Sequence, residues 1–304
     1  MTSATNSEHH MQPIAFLTMD SLADFVAYDQ LVVEQLRQAG ITVHDVSWRH
    51  PQPNWDQYSL VVIRSPWDYQ AAPEAFLAVL EQIEQSSARL LNSLETVRWN
   101  IRKTYLRQLE QAGHTIVPTV WLESPTAAEL NCVIAYWNTP EIVVKPLIGA
   151  NADNAFRLPA DAAPHLLQQA ANAFRHTTAL AQPFIDSVVN TGEYSLIFFN
   201  GRYSHAVLKT PRSGDFRVQE EHGGIIRTIQ PAADIIACAE RSLQSCPQPL
   251  LYARADIVLL PAGQPAIMEI ELIEPSLYLS FDPQSPARFA DCILRALDTP
   301  DHPS

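Results

Sequence analysis

The chain has 304 residues, 47% of them apolar, and carries 20 Lys plus Arg against 33 Asp plus Glu, for a formal charge of −13. That length supports one large or two to three smaller hydrophobic cores. The acidic balance disfavours nucleic acid and anionic membranes as partners, and no stretch reaches the about 18 apolar residues that a bilayer span requires. Cys132, Cys238, Cys246 and Cys292 are scattered without metal-ligand spacing, so they predict reduced, buried thiols and a cytoplasmic setting.

Residues 1–11 are polar and are expected to be disordered. An N-terminal α/β unit is expected over 12–92. It begins with an apolar strand at 13–18, followed by a helical pattern over 24–39 that Gly40 stops. Alternation over 41–46, an unbroken apolar run at 59–64 and a helical stretch at 72–85 complete the rhythm of a small open sheet. Arg64, Ser65, Trp67, Asp68 and Tyr69 leave the third strand at its carboxyl end, where open sheets collect ligands. Arg64 offers a planar fork to a carboxylate or phosphate, and Trp67 and Tyr69 offer stacking surface. The alternative is an aromatic packing loop in which Arg64 pairs with Asp68.

A second unit is expected over 93–185. Ser93 resembles a helix cap, and a helix over 99–112, ended by Gly113, contains Lys103. A strand at 117–122 and a helix at 126–137 precede the strand 141–146, which delivers Lys145 and is cut by Pro146. A lysine directly after three apolar strand residues has its stem drawn toward the core, so its ammonium needs an anion. The small-residue loop 149–154 could approach phosphate, although it holds a single glycine, and no P-loop or dinucleotide fingerprint occurs. A helix at 165–176 and a strand over 179–185 close the unit.

A third unit is expected over 186–298. Strands 193–199 and 202–209 flank the hairpin turn Asn200-Gly201. A basic loop at 210–217, a tight turn at Gly223-Gly224 and a helix at 233–246 lead to a second hairpin, with arms 255–260 and 266–270. Counting back from its turn places Asp256 nearly opposite Glu269, and Glu271 shares a face with Glu269. Three converging carboxylates repel one another; either a divalent cation such as Mg²⁺ with nucleotide phosphates relieves them, or they remain solvated. A helix over 286–297 and a tail at 299–304 end the chain.

The ordered set of Lys103, Lys145-Pro146, the small loop, residues 182–185, Gly192-Glu193, Arg217, Gly223-Gly224, Arg254, Asp256, Glu269 and Glu271 resembles the ATP-grasp superfamily over residues 12–298. Segments 64–69, 214–218 and 271–277 are similar to the cyclo-ligases of D-cycloserine biosynthesis, within the glutathione-synthetase-like branch. The resemblance implies a small N-terminal open α/β domain followed by two α+β subdomains that clasp ATP and one or two Mg²⁺ (or Mn²⁺) ions. It implies that Lys103 and Lys145 contact the phosphates. Residues 182–185 would form the adenine hinge through Gln182 and the N–H of Phe184 or Ile185, since Pro183 has none. Glu193 would hold the ribose, and Asp256, Glu269 and Glu271 the metal. Arg217, Arg254 and Lys209 would face the transferred group, and Arg64, Ser65, Trp67, Asp68 and Tyr69 the substrate. Gln182 and Glu271 depart from the Glu and Asn more usual at those places.

The implied activity is activation of a carboxyl-type group of a small amino-acid-like molecule as an acyl phosphate, then coupling or ring closure onto an amine. Homodimerisation is left open. The alternatives are a ligase that adds amino acids to a protein or peptide tail, and a non-catalytic nucleotide-binding regulator.

Overall fold

A computed structural model of the chain describes residues 12–23, 25–149, 154–212, 217–218 and 223–298. The first sheet comprises β1 (Ile14–Thr18), β2 (Val43–Ser47), β3 (Leu60–Ser65) and β4 (Arg89–Leu91), all parallel, in the order β2-β1-β3-β4. β1 and β3 are buried along their whole length, which is why both read as unbroken apolar runs rather than as alternation. On one face, Val32 and Leu36 of α1 (Gln30–Gln38) meet Ile14, Phe16 and Leu60. On the other, Phe76, Leu80 and Ile83 of α2 (Pro73–Glu84) meet Leu17, Val61 and Ile63. The first helix starts six residues later than its apolar pattern suggests, because Asp29 is drawn into a bond with Arg64.

The expected helix over 99–112 is two helices, α3 (Leu94–Asn100) and α4 (Tyr105–Gln111), with Lys103 in the turn between them. Tertiary hydrogen bonds break it. Asn100 Nδ2 donates to Ile270 C=O at 2.8 Å, its Oδ1 accepts from Leu272 N–H at 2.8 Å, and Lys103 N–H donates to Leu147 C=O at 2.9 Å.

The second sheet holds β5 (Val120–Glu123), β6 (Glu141–Pro146), β7 (Phe156–Pro159) and β8 (Thr178–Pro183), antiparallel, in the order β5-β8-β6-β7. α5 (Ala127–Trp137) and α6 (Pro164–Ala173) cover one face through Leu130, Ile134 and Leu167 against Ile142, Val144 and Ala179. α5 begins with a full capping box between Thr126 and Glu129, worth about 1 kcal/mol. Because side chains alternate along β6, burying Ile142 and Val144 turns Val143 and Lys145 to the uncovered face.

The third sheet follows α7 (Ser187–Asn190) and contains β9 (Glu193–Phe199), β10 (Arg202–Thr210), β11 (Ile225–Thr228), β12 (Tyr252–Leu259) and β13 (Pro265–Glu271) in the antiparallel order β11-β10-β9-β12-β13. Asn200 and Gly201 both take positive φ, 48° and 72°, as a two-residue hairpin turn of this hand requires. α4 and α8 (Ala233–Leu243) pack beneath this sheet through Leu106, Leu109, Ile235 and Leu243. The last helix, α9 (Ser285–Asp298), inserts Phe289 and Ile293 between the third sheet and α1, so the first and third sheets share one core. Among the described residues, no helix is long and apolar enough to cross a membrane.

Candidate active site

Between the uncovered faces of the second and third sheets lies a cleft of about 240 Å³. β13 lines it in a manner that simple alternation does not produce. Asp256 stands opposite Glu269 and Arg254 opposite Glu271, but the register slips so that Ile257 faces Ile267. Met268 is the extra residue of a bulge, and both Met268 and Glu269 reach the cleft.

The charged side chains on this floor form a chain of ion pairs. Lys209 Nζ lies 2.5 Å from Glu193 Oε1 and 3.4 Å from Asp256 Oδ1. Arg254 forks onto Asp256, with Nε to Oδ1 at 3.1 Å and Nη2 to Oδ2 at 3.0 Å, while Nη2 also reaches Glu271 and Nη1 donates to Ser276 C=O at 3.3 Å. Ser195 Oγ donates to Asp256 as well. Burial works against the Asp256 carboxylate, yet Arg254 and Lys209 hold it down to about 2. The same two carboxylates, Asp256 and Glu193, raise the Lys209 ammonium in spite of its burial. Glu193 itself is raised, because its burial outweighs the pull of Lys209. Glu271 is the least compensated of the network: burial, reinforced by Asp256 and Glu269, carries it up to about 7 against the attraction of Arg254. Acid thus exceeds base on this side of the cleft.

The two lysines anticipated from the sequence converge on the same space. Lys103 Nζ pairs with Glu269 and donates to Gly149 C=O at 3.2 Å. Lys145 comes from the opposite sheet. Burial lowers its pKa despite the pull of Glu269, and its Nζ lies 3.9 Å from the Met268 sulfur. Among the described residues no carboxylate stands within ion-pair distance of Lys145. At the end of β8, Gln182 Nε2 donates to Thr119 Oγ1 at 3.0 Å, and Phe184 N–H is taken by Glu141 C=O at 3.0 Å. Of the two expected hinge donors, Ile185 N–H is therefore the one left without an acceptor among the described residues. Phe184 instead lies under the Arg157 guanidinium, 4.0 Å from Cζ to ring centre.

Several expectations need correction. Trp67 and Tyr69 line the cleft, but Arg64, Ser65 and Asp68 do not. Arg64 is 2% exposed and pairs with Asp29 at 2.8 Å, not with Asp68; its guanidinium lies over the Tyr252 and Phe289 rings. Asp68 is occupied with Arg49 at 2.8 Å and the Trp48 indole at 2.6 Å. A strand end that points ligandward in an isolated sheet is capped here by α9 and the chain after β13. Nor is a metal cage preassembled: no three His, Cys, Asp or Glu among the described residues stand ready around one point, since Asp256, Glu269 and Glu271 each face a cation. Arg217 lines the cleft. Most of the small loop (150–153) and of the basic loop (213–216) lies outside the described residues. All four cysteines are free thiols.

Sequence reading gave no role to Glu274 and Ser276, although segment 271–277 contains them, nor to Tyr278 and Asn100; all four face the cleft. The spacing Glu269-x-Glu271-x-x-Glu274 was a usable signal for the first of these.

Residues 14–92 match the family described as D-cycloserine synthetase DcsG, N-terminal domain, and residues 110–250 match the prokaryotic glutathione synthetase ATP-grasp domain. The chain is 30% identical over 302 residues to the cycloserine biosynthesis protein DcsG of Streptomyces lavendulae, covering 93% of this chain and 99% of that protein. Its fold superposes on the crystal structure of D-cycloserine synthetase DcsG with a TM-score of 0.81 and 29% identity, covering 93% and 99% of the two chains. It also superposes on the ATP-grasp ligase PsnB, complexed with minimal precursor, Mg and ADP, with a TM-score of 0.64, 15% identity and coverage of 94% and 98%; this likeness concerns the fold alone. With cleft, sheets and whole-length likeness in agreement, the chain belongs to the ATP-grasp ligases, in the glutathione-synthetase-like branch and with an N-terminal domain of the D-cycloserine-synthetase type.

Proposed function

We propose that this ligase uses ATP and Mg²⁺ to activate a carboxyl-type group of a small amino-acid-like substrate and to couple or cyclise it onto an amine, releasing ADP and phosphate. The observation that carries the reading is the opposition, within one cleft, of Lys145, which has no acid in ion-pair contact among the described residues, and an acid-rich floor of Asp256, Glu269 and Glu271. The donor set fits Mg²⁺, which takes hard carboxylate oxygens together with substrate phosphates. The upward shift of Glu271 to about 7 marks a place where added positive charge lowers the energy. Bound ATP with its metal supplies the phosphoryl group that turns the substrate oxygen into a leaving group.

The chain's own residues align and neutralise. Lys145 and Lys103 would hold the phosphate oxygens, and Asp256, Glu269 and Glu271 the metal; Lys103 is paired with Glu269 in this structure. Ile185 N–H would take the adenine edge, with Val143 and Met268, which line the cleft from opposite sheets, on either side of the base. Arg254 and Arg217 would spread the charge that builds on the transferred group, and Lys209 holds Asp256 and Glu193 in place. No covalent enzyme nucleophile is needed, because positioning and electrostatics account for phosphoryl transfer of this type. Whole-length similarity to DcsG supports a small substrate over a peptide tail.

The test is Mg²⁺-dependent ADP formation across a panel of small amino acids and their ureido derivatives, with mass analysis of products. Arg217→Ala is expected to slow turnover by about 10³-fold while ADP still binds. The pair Asp256→Asn with Glu269→Gln should abolish Mg²⁺-dependent ADP release. Release that persists in the double variant would move the metal elsewhere and end this reading.

A further inference from the structure

The cleft extends past the ion-paired floor toward the first sheet, where Phe25, Val26, Trp67 and Tyr69 form its walls. Glu274 stands among them. Its Oε1 accepts from Gln70 Nε2 at 3.0 Å, its backbone carbonyl accepts from the Trp67 indole at 2.9 Å, and the Tyr69 hydroxyl is near enough to favour the ionised carboxyl. The carboxyl is thus oriented by a neutral donor from the loop after β3.

What distinguishes Glu274 is charge. Glu193, Asp256, Glu269 and Glu271 each have a lysine or arginine in contact. Among the described residues Glu274 has none. Burial, with Glu271 nearby, pushes its carboxyl up to about 8. An acid kept in a protein interior without a counter-ion is a standing cost, and a ligand cation removes it. The neighbours indicate which cation. Trp67, Tyr69 and Gln70 offer donors and aromatic surface rather than the further oxygens that Mg²⁺ requires. An alkylammonium asks for one fixed carboxylate and tolerates aromatic faces around its carbon skeleton.

We infer that Glu274, oriented by Gln70, is the recognition site for a primary ammonium group of the substrate, with Trp67 and Phe25 packed against the attached carbon frame. The inference deepens the ligase reading and rests on it. It assigns the acid end of the cleft to the substrate's amino group, as Lys145 assigns the basic end to phosphate. It also gives Trp67 and Tyr69 a substrate role while leaving Arg64, Ser65 and Asp68 out of one.

The test is calorimetric titration, with Mg²⁺ and ADP present, of D-cycloserine, D-alanine and glycine, each against its N-acetyl counterpart. Wild-type protein is expected to bind at least one free amine and to reject the acetylated form. Glu274→Gln should weaken that amine by roughly 10- to 100-fold, the scale of one charge-assisted hydrogen bond, and Glu274→Asp should recover part of it. ADP affinity, read in the same variants, reports that the fold and the nucleotide site are intact. Equal binding of free and acetylated forms, or an unchanged amine affinity in Glu274→Gln, overturns the assignment. Failure of every amine to bind while ADP still binds also overturns it, and leaves the nucleotide reading standing. If Glu274→Gln instead loses Mg²⁺-dependent ADP binding, the group is a metal ligand and the ammonium site is wrong.

Discussion

Replacing Glu274 by glutamine is expected to stabilise the ligand-free protein, and to do so more strongly as pH rises. In the folded chain, burial and then Glu271 raise this carboxyl from 4.5 to about 8; unfolding returns it to the ordinary value. Between those two pH values the native state keeps a proton that the unfolded chain has released. Stability contributed by this group therefore falls as pH climbs through that window and levels off above it. Each unit of separation is worth about 1.4 kcal/mol, so the shift sets a ceiling of about 5 kcal/mol, and solvent at the cleft mouth screens this toward ~2 kcal/mol. Glutamine keeps the bond to Gln70 and never ionises. Urea unfolding at about pH 5 and about pH 8.5 is the assay, with midpoint and slope both recorded. The expected result is a small gain at the lower pH that grows by ~1–2 kcal/mol at the higher one. A gain of equal size at both, or none at either, would refute the claim that Glu274 is an uncompensated acid.

Lys145→Met should weaken ADP binding by about 10- to 100-fold, while the unfolding midpoint holds or rises, since burial disfavours this ammonium in the free protein; equal ADP affinity by titration would contradict its phosphate role. Arg64→Met should cost about 3 kcal/mol in urea unfolding by stranding the buried Asp29 carboxylate, with KM for substrate little changed; the reverse pattern would return Arg64 to the cleft. Gly192→Ala should destabilise by about 2–4 kcal/mol, because Gly192 has φ +114° and an added Cβ would lie 2.8 Å from Lys209 C=O. Thermal melts of that variant should fall together with the Lys209–Glu193 pairing, and an unshifted melting curve would show that the backbone there relaxes freely.

Much of this molecule was legible in one dimension. The unbroken apolar runs of β1 and β3, the Asn200-Gly201 turn, the capping box at Thr126 and the hairpin pairing of Asp256 with Glu269 are local consequences of backbone geometry and side-chain period. Lys145 was also legible, because a charged residue ending an apolar strand has few places to go. The bulge at Met268, the break that puts Lys103 in a turn and the diversion of Arg64 to Asp29 were not. Each depends on a partner far along the chain: Asn100 with β13, and Arg64 with Asp29 and the rings of Tyr252 and Phe289.

The sequence by itself determined which strands are buried, where the turns fall and which charges could meet, since these follow from period, propensity and order. Only the tertiary structure decided which cleft acids have a cation in contact and that, among the described residues, Glu274 has none. Compensation of charge depends on distances through space that sequence spacing does not contain, and burial at Glu274 raises a carboxyl that its position in the sequence does not single out.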